Sequence, residues 1–342
     1  MRIIKLYGTW SEMGEQYGLA LKSDLNKIYD TMYGTYFDLH PELRAPWTDF
    51  ALMLLDSYPA YLKRFFEGLT RSSGLDKAKL ALVNAVEYLH GLGECSFLAA
   101  RGEKTENGLI LGRNYDYTKF YRRLAGQVII TVFHPSSGTQ AFAIIGYAGE
   151  IWAVNGLNES GLFMELNNAT PSGGTELLTD GEFATTQLFQ MMLECESVTD
   201  AVRFLKSRRC CCAYIIGLTD GKELAGCEWD KTGLKLVPQN NDTLCFTNTY
   251  QNPEWSFPVP EDNAAWHSHT RRNNLTSFVE GRTRITSNDI KHVMSLPIDE
   301  GGAYFTDKTV YQIVYEPGSG ALWTRAIDGG DWEKFDFEEL FK

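Results

Sequence analysis

The 342-residue sequence has no long uncharged apolar run, no dense basic cluster, no Cys-x-x-Cys pair and only six histidines. Each absence excludes a class of protein. A membrane-crossing helix needs about 18 or more apolar residues, and the most apolar stretch, 141–157, is interrupted by Glu150. No membrane span is expected. The formal net charge is −12 and no Lys/Arg cluster is present to track a phosphate backbone, so nucleic acid is not an expected partner. The opening MRIIKLYGTWSEMGEQYG lacks the apolar core and small-residue cleavage site of an export signal, and a cytoplasmic protein is expected.

Seven cysteines without metal or redox spacing argue against a disulfide framework and a zinc centre. The run Cys210-Cys211-Cys212 would alternate across a strand instead of converging on one ion. Only His267 and His269 are close in sequence, with no ligand pattern around them. A Gly-x-Ser-x-Gly elbow, a His-Glu-x-x-His helix, a phosphate loop and a dinucleotide fingerprint are all missing. No metal and no organic cofactor are expected.

What is present can build a large core, with 44% hydrophobic residues in a chain of this length. Residues 9 to about 92 carry apolar residues at spacings of three and four, with Gly or Pro at the joins, which predicts a helical segment. From Cys95 the period changes. CSFLAA, GLILGRNYDY, GQVIITVF, TQAFAIIGYAG, IWAVNGLN and GLFMEL alternate with turn residues and predict a meander of antiparallel strands. After a glycine-rich loop (PSGGTELLTDGE, 171–182), helices are predicted over about 183–206, strands over AYIIGLTD, ELAGCEWD, LKLVP and TLCFTN, helix again over about 264–297, and a hairpin in TVYQIVYEPGSGALWTRAI. Consecutive blocks of strands with helices grouped between them imply an α+β fold of two packed sheets flanked by helices.

The chemistry centres on Cys95. Nothing near it supplies the histidine base that a cysteine nucleophile usually borrows. Scission between Glu94 and Cys95 would place an α-amine, with an ordinary pKa of about 7.7–8.0, on the same residue as the thiol, making nucleophile and base one residue. Its position behind ninety-four residues then has a reason. Taken singly, a cysteine on a strand is more often a buried hydrophobe, and Asn158 or Asn248 can simply satisfy turns.

Four stretches in order, CSFLAARG with TENGLILGRNYDY, GLNESGLFMELNNA, LCFTNTYQNP and SHTR, resemble the N-terminal-nucleophile (Ntn) hydrolases. The resemblance is to the choloylglycine hydrolase and penicillin V acylase type, and most closely to acyl-CoA:6-aminopenicillanic acid acyltransferase-like autoproteolytic proteins. It implies a four-layer αββα sandwich with antiparallel sheets, a helical leader over 1–94 and a catalytic domain over 95–342. The implied catalytic residues are Cys95, Arg113, Asp116, Asn167, Asn248 and Arg271, with Asn168 and Arg272 as neighbours in register. An arginine beside the thiol favours thiolate, a carboxylate can hold the α-amine, and an amide can donate to an oxyanion. Positions 113 and 116 fall on opposite faces of a regular strand, so a bulge or kink near Asn114 is expected if both act.

The implied activity is an amidohydrolase or acyltransferase acting on linear amide bonds of N-acylated small molecules, with acyl-CoA or an amine as a further partner, matured by scission between Glu94 and Cys95. A homo-oligomer is compatible with it. Glu94 stands where the family has glycine or another small residue. Tyr115, Tyr117, Phe120 and Tyr121 are candidates for an acyl pocket. Alternative readings are a ceramidase- or phospholipase B-like lipid hydrolase, and a relative that never matures and only binds a ligand.

Overall fold

The computed structural model describes residues 1–90, 93–172, 183–239, 242–256, 258–264, 266–327 and 330–342. Most of the glycine-rich loop expected at 171–182 lies outside the described residues. The chain opens with strand β1 (Arg2–Gly8), followed by helices α1 (Trp10–Tyr29), α2 (Thr35–Leu39), α3 (Pro41–Asp56), α4 (Ala60–Ser73), α5 (Lys77–Asn84) and α6 (Val86–Leu89). Thr9 and Glu12 close a reciprocal capping box that starts α1. Helices α1 and α4 approach closely because Gly14 and Gly68 face each other's backbones: a Cβ at Gly14 would lie 2.0 Å from the Phe65 carbonyl oxygen. The expected helical segment therefore forms, preceded by a strand that the sequence pattern did not single out. Arg2–Gly8 is short and mostly half-exposed, which leaves little alternation to read.

The remaining elements are β2 (Ser96–Arg101), β3 (Leu109–Asp116), β4 (Val128–Pro135), β5 (Phe142–Tyr147), β6 (Asn155–Asn158) and β7 (Phe163–Asn168), then α7 (Ala184–Glu194) and α8 (Val198–Lys206). They continue with β8 (Tyr214–Thr219), β9 (Leu224–Asp230), β10 (Gly233–Leu236) and β11 (Thr243–Phe246), then α9 (Ser268–Glu280), α10 (Ser287–Ser295), β12 (Thr309–Glu316), β13 (Ala321–Ala326), β14 (Glu333–Asp336) and α11 (Phe337–Phe341). One sheet has the order β1-β4-β5-β6-β7-β8-β9-β10 and the other β11-β2-β3-β12-β13-β14.

Among the described residues the named strands all pair antiparallel except β1 with β4, which is parallel at the edge of the larger sheet. The first six strands of the core are not one meander: β2 and β3 belong to the smaller sheet, and β4 to β7 to the larger. The chain changes sheet through the turn at Tyr121–Gln127, a crossing that local alternation cannot signal.

The sheets face each other over ring contacts such as Phe163 with Tyr315, at 5.5 Å, and Tyr115 with Tyr147, at 6.1 Å. Strands β3, β7, β8, β9 and β12 are buried along their whole length, as expected where helices cover the outer faces. Helices α1, α7 and α8 pack on the larger sheet and α9 and α10 on the smaller, giving the four layers of an αββα sandwich. Residues of 1–94 share one continuous core with the rest, from Leu6 to Leu340. No helix among the described residues is long and apolar enough to cross a membrane.

Candidate active site

Cys95 is the residue immediately before β2 and is 2% exposed. From β3, alongside β2, the fully buried Arg113 places Nη2 3.3 Å from the Cys95 sulfur. The same guanidinium donates to the Leu166 carbonyl at 2.9 Å and pairs through Nη1 with Glu165 on β7 of the other sheet. An arginine is suited to this place because its planar fork serves several acceptors at once and stays charged when buried. Burial pushes the Cys95 thiol up to about 12, while Arg113 draws it back down.

Arg271, in the first turn of α9 and fully buried, reaches the same residue from the opposite side. Its Nη1 donates to the Cys95 carbonyl at 2.8 Å and to Ser96 Oγ at 2.7 Å, and lies 3.4 Å from the Glu94 carbonyl; its Nη2 donates to Asn248 Oδ1 at 2.7 Å. The start of α9 is held for this task. Trp266 and His267 both adopt left-handed backbone, with φ of 56° and 55°. Such φ values are costly for non-glycine residues and persist where the surroundings impose them. Here Arg271 Nε donates to the Trp266 carbonyl, and Asp262 accepts from the His269 backbone. Arg272 is not among the groups that contact Cys95.

Asn248 follows β11. Its Nδ2 donates to the Asn168 carbonyl at 2.7 Å and the Gly93 carbonyl at 3.3 Å, and its backbone N–H donates to Ser268 Oγ at 3.0 Å. Asp116 ends β3. Its carbonyl accepts from the Glu94 N–H at 2.7 Å, Oδ1 accepts from Thr309 Oγ1 at 2.5 Å, and Oδ2 has no hydrogen-bond partner among the described residues. Burial pushes the Asp116 carboxyl up to about 7, opposed by Arg271. The backbone irregularity expected near Asn114 lies instead on the partner strand. The β3–β12 register shifts between Thr309 and Tyr311, opposite Asp116. Asn114 itself turns outward and donates to the Met294 carbonyl at 2.9 Å.

The two neighbouring asparagines separate by strand alternation. Asn167 shares a face of β7 with Glu165 and donates to the Thr247 carbonyl at 2.9 Å. Asn168 falls on the other face with Leu166, and these two, not Asn167, line a cavity of about 200 Å³ that opens beside Cys95. Phe50, Tyr88, Tyr115, Tyr117, Trp152 and Tyr214 supply its aromatic wall. Of the four aromatic residues considered from sequence, Tyr115 and Tyr117 reach the wall. Tyr121 packs against Tyr117 at 4.0 Å from centroid to centroid, away from it.

Several residues at the site carried no motif. Glu165 sits inside GLFMEL, where a carboxylate at an inward position of an apolar strand was the signal available. Lys308 holds both carboxylate oxygens of the buried Glu94, at 2.7 and 2.8 Å. Glu87 lines the cavity wall and Glu150 is buried; burial pushes both carboxyls up, Glu87 to about 8. Among the described residues no group of acidic, histidine and cysteine side chains is arranged to hold a metal ion.

Two facing sheets between helices, with a cysteine at the start of an inner strand and two buried guanidiniums converging on it, define the architecture of an Ntn-type sandwich. The family model of acyl-coenzyme A:6-aminopenicillanic acid acyl-transferase matches residues 103–296, and the chain belongs to that family. Penicillin V acylase from Agrobacterium tumefaciens is similar in structure, with a TM-score of 0.50 at 14% identity over 72% of this chain and 88% of its own. An N-acylethanolamine-hydrolyzing acid amidase ortholog from Caenorhabditis elegans gives 0.48 at 18% identity, over 66% and 93%. A Cys-to-Ala mutant of conjugated bile acid hydrolase from Clostridium perfringens gives 0.46 at 13%, over 72% and 94%. No curated protein sequence matches the chain.

Proposed function

We propose that this member of an amide-acting hydrolase and acyltransferase family is a cysteine Ntn enzyme that cleaves, or transfers the acyl group of, linear amides of N-acylated small molecules. It matures by scission between Glu94 and Cys95. The observation that carries the reading is the convergence on Cys95: Arg113 on its sulfur, Arg271 on its carbonyl, and an aromatic cavity opening at its side.

In the first stage the Cys95 sulfur adds to the Glu94 carbonyl carbon. The peptide C–N bond breaks, the thiol proton passes to the departing nitrogen, and a thioester joins Glu94 to the sulfur. Water then cleaves the thioester, leaving a carboxylate on Glu94 and a free thiol and α-amine on Cys95. Arg271, 3.4 Å from the Glu94 carbonyl, is the donor nearest to the charge that develops there. Asp116, with one carboxylate oxygen free of partners among the described residues, is the group to hold the new α-amine.

In the second stage the α-amine takes the thiol proton, the sulfur attacks the substrate carbonyl, and the amine gives the proton to the leaving nitrogen. Water or a second amine then takes the acyl group from sulfur. Asn248 Nδ2 spends one N–H on the Gly93 carbonyl in the uncut chain. Departure of that carbonyl frees the donor for the oxyanion. The segment 1–94 stays docked after scission, because β1 is paired to β4, the Gly149 N–H donates to Tyr17 Oη at 2.7 Å and the Ile151 N–H to Asn84 Oδ1 at 3.0 Å. Phe50, Glu87 and Tyr88 of that segment also line the cavity.

The cavity volume of about 200 Å³ falls below the roughly 300–1,000 Å³ of drug-sized sites, which supports a compact substrate over one with a long lipid chain. Release of free amine from a panel of N-acyl amides by the matured chain, with Cys95→Ala as control, tests the activity. Equal release by both proteins, or none by either, would contradict it.

A further inference from the structure

The scissile peptide is itself an acyl amide seated on the nucleophile, and the structure records how its acyl group is held. Residue 94 branches at its Cα. Its main chain continues to Gly93 in the wall of the aromatic cavity, while its side chain runs the other way to Lys308. The carboxylate is 6% exposed and both its oxygens accept from Lys308 Nζ, at 2.7 and 2.8 Å. Lys308 also lies 5.2 Å from the centroid of the Phe305 ring, whose other neighbour is Arg271, at 5.0 Å. Beyond Glu94, Lys308 borders a second depression of about 580 Å³ with Trp266, His267, Tyr304 and Phe305, reaching the surface at the half-exposed His267.

A glutamate at this place is a poor choice for ease of scission alone, since glycine would present the carbonyl with less crowding and without a charge to bury. Burying a carboxylate is costly unless it is paired, so the fold has invested a lysine at this position. The same sulfur attacks residue 94 during maturation and the substrate during turnover. Both carbonyl carbons come within bonding reach of that sulfur, so the acyl group of a substrate can use the contacts that hold residue 94.

The geometry points to Lys308 as an anion subsite for the substrate's acyl group. Resting on the amidase reading above, the inference narrows the substrate class to amides whose acyl group carries a carboxylate at the spacing found in a glutamyl or glutaryl unit. In the uncut chain Glu94 fills the subsite and is positioned by it for attack. Once scission releases residue 94 from the sulfur, the Lys308 side chain that held its carboxylate is left facing that side of the acyl position. No new covalent step is involved. The acyl group is transferred to sulfur and then to water or an amine as before, with Lys308 taking no part in the bond changes.

The test compares glutaryl and pentanoyl amides of the same chromogenic amine, which match in chain length and differ in the terminal carboxylate. On matured wild type, the glutaryl amide is expected to have at least a tenfold higher kcat/KM, chiefly through a lower KM. Lys308→Met is expected to erase that ratio and Lys308→Arg to keep most of it; Lys308→Met also slows scission. Should Lys308→Met fail to fold or mature, glutarate and pentanoate are compared on wild type as protectants of Cys95 against alkylation, with glutarate expected to protect at lower concentration. Equal or better use of the pentanoyl amide by wild type overturns the subsite while leaving the amidase reading intact. So does a glutaryl preference that survives Lys308→Met. Failure to release amine from any amide overturns the amidase reading, and the subsite with it.

Discussion

The guanidinium of Arg271 donates at 2.8 Å to the main-chain carbonyl of Cys95, 176 positions earlier in the chain. It thereby ties the first turn of α9 to the residue that opens β2. The same side chain serves Ser96 Oγ and Asn248 Oδ1, so its removal strands three buried acceptors at once. Arg271→Met is expected to destabilise the fold by about 3–5 kcal/mol, the cost of breaking a buried charged network. It should also abolish scission at residue 95. Urea unfolding and intact mass measure the two effects. Loss of scission with unchanged stability would point to a role in chemistry alone.

Glu165 pairs with Nη1 of Arg113, whose Nη2 faces the sulfur, and beside burial, the main cause, its charge also raises the Cys95 thiol. Glu165→Gln should therefore bring the thiol down and quicken its alkylation at pH 8. It should also lower stability by about 3–5 kcal/mol, because Arg113 is left without its counter-charge. Alkylation rate against pH, followed by peptide mapping at Cys95, reads the first effect.

Four buried carboxyls are held above their ordinary range by burial: Asp116 and Glu165 at about 7, Glu87 at about 8, and Glu150 also raised. A carboxyl whose folded pKa exceeds its unfolded value binds its proton more tightly in the folded state. Its contribution to stability is complete below the unfolded value and is lost as pH rises through the folded one. The thermal midpoint should fall between about pH 5 and pH 8, and Glu87→Gln should flatten that slope. A midpoint that rises across the window would contradict the assignment.

Asn167 and Asn168 differ in the face of β7 they occupy, and their substitutions should differ in kind. Asn168→Ala changes the cavity wall and should act on turnover, shifting KM or kcat with little loss of stability. Asn167→Ala removes the hydrogen bond to the Thr247 carbonyl and should act on stability, by about 1–3 kcal/mol for the buried group left unpaired. Steady-state kinetics beside urea unfolding separates the two.

Much of this arrangement was legible in the sequence, because long strands with clean alternation and motif residues in a fixed order are local signals. The change of period at Cys95, the helical segment before it and the pair of sheets follow from that. That Arg113 and Arg271 both contact Cys95 follows from no local pattern, since none brings residues 95 and 271 together; resemblance alone groups them with Asn248. Three things escaped for physical reasons. The Glu165 partner of Arg113 lies across the sheet interface, where register and not spacing decides contact. The pairing of Lys308 with Glu94 depends on where a turn near β12 ends. The face taken by Asn168 turns on a shift of one residue, which reverses every side chain in a strand.

The central claim is that an internal thiol becomes a chain terminus through its own attack on Glu94. Intact mass with N-terminal sequencing, on purified wild type beside Cys95→Ala, tests it most directly. Wild type should give two co-purifying chains, one ending at Glu94 and one beginning at Cys95, and the alanine variant a single chain. A whole wild-type chain under every condition, or the same two fragments from Cys95→Ala, would contradict the account.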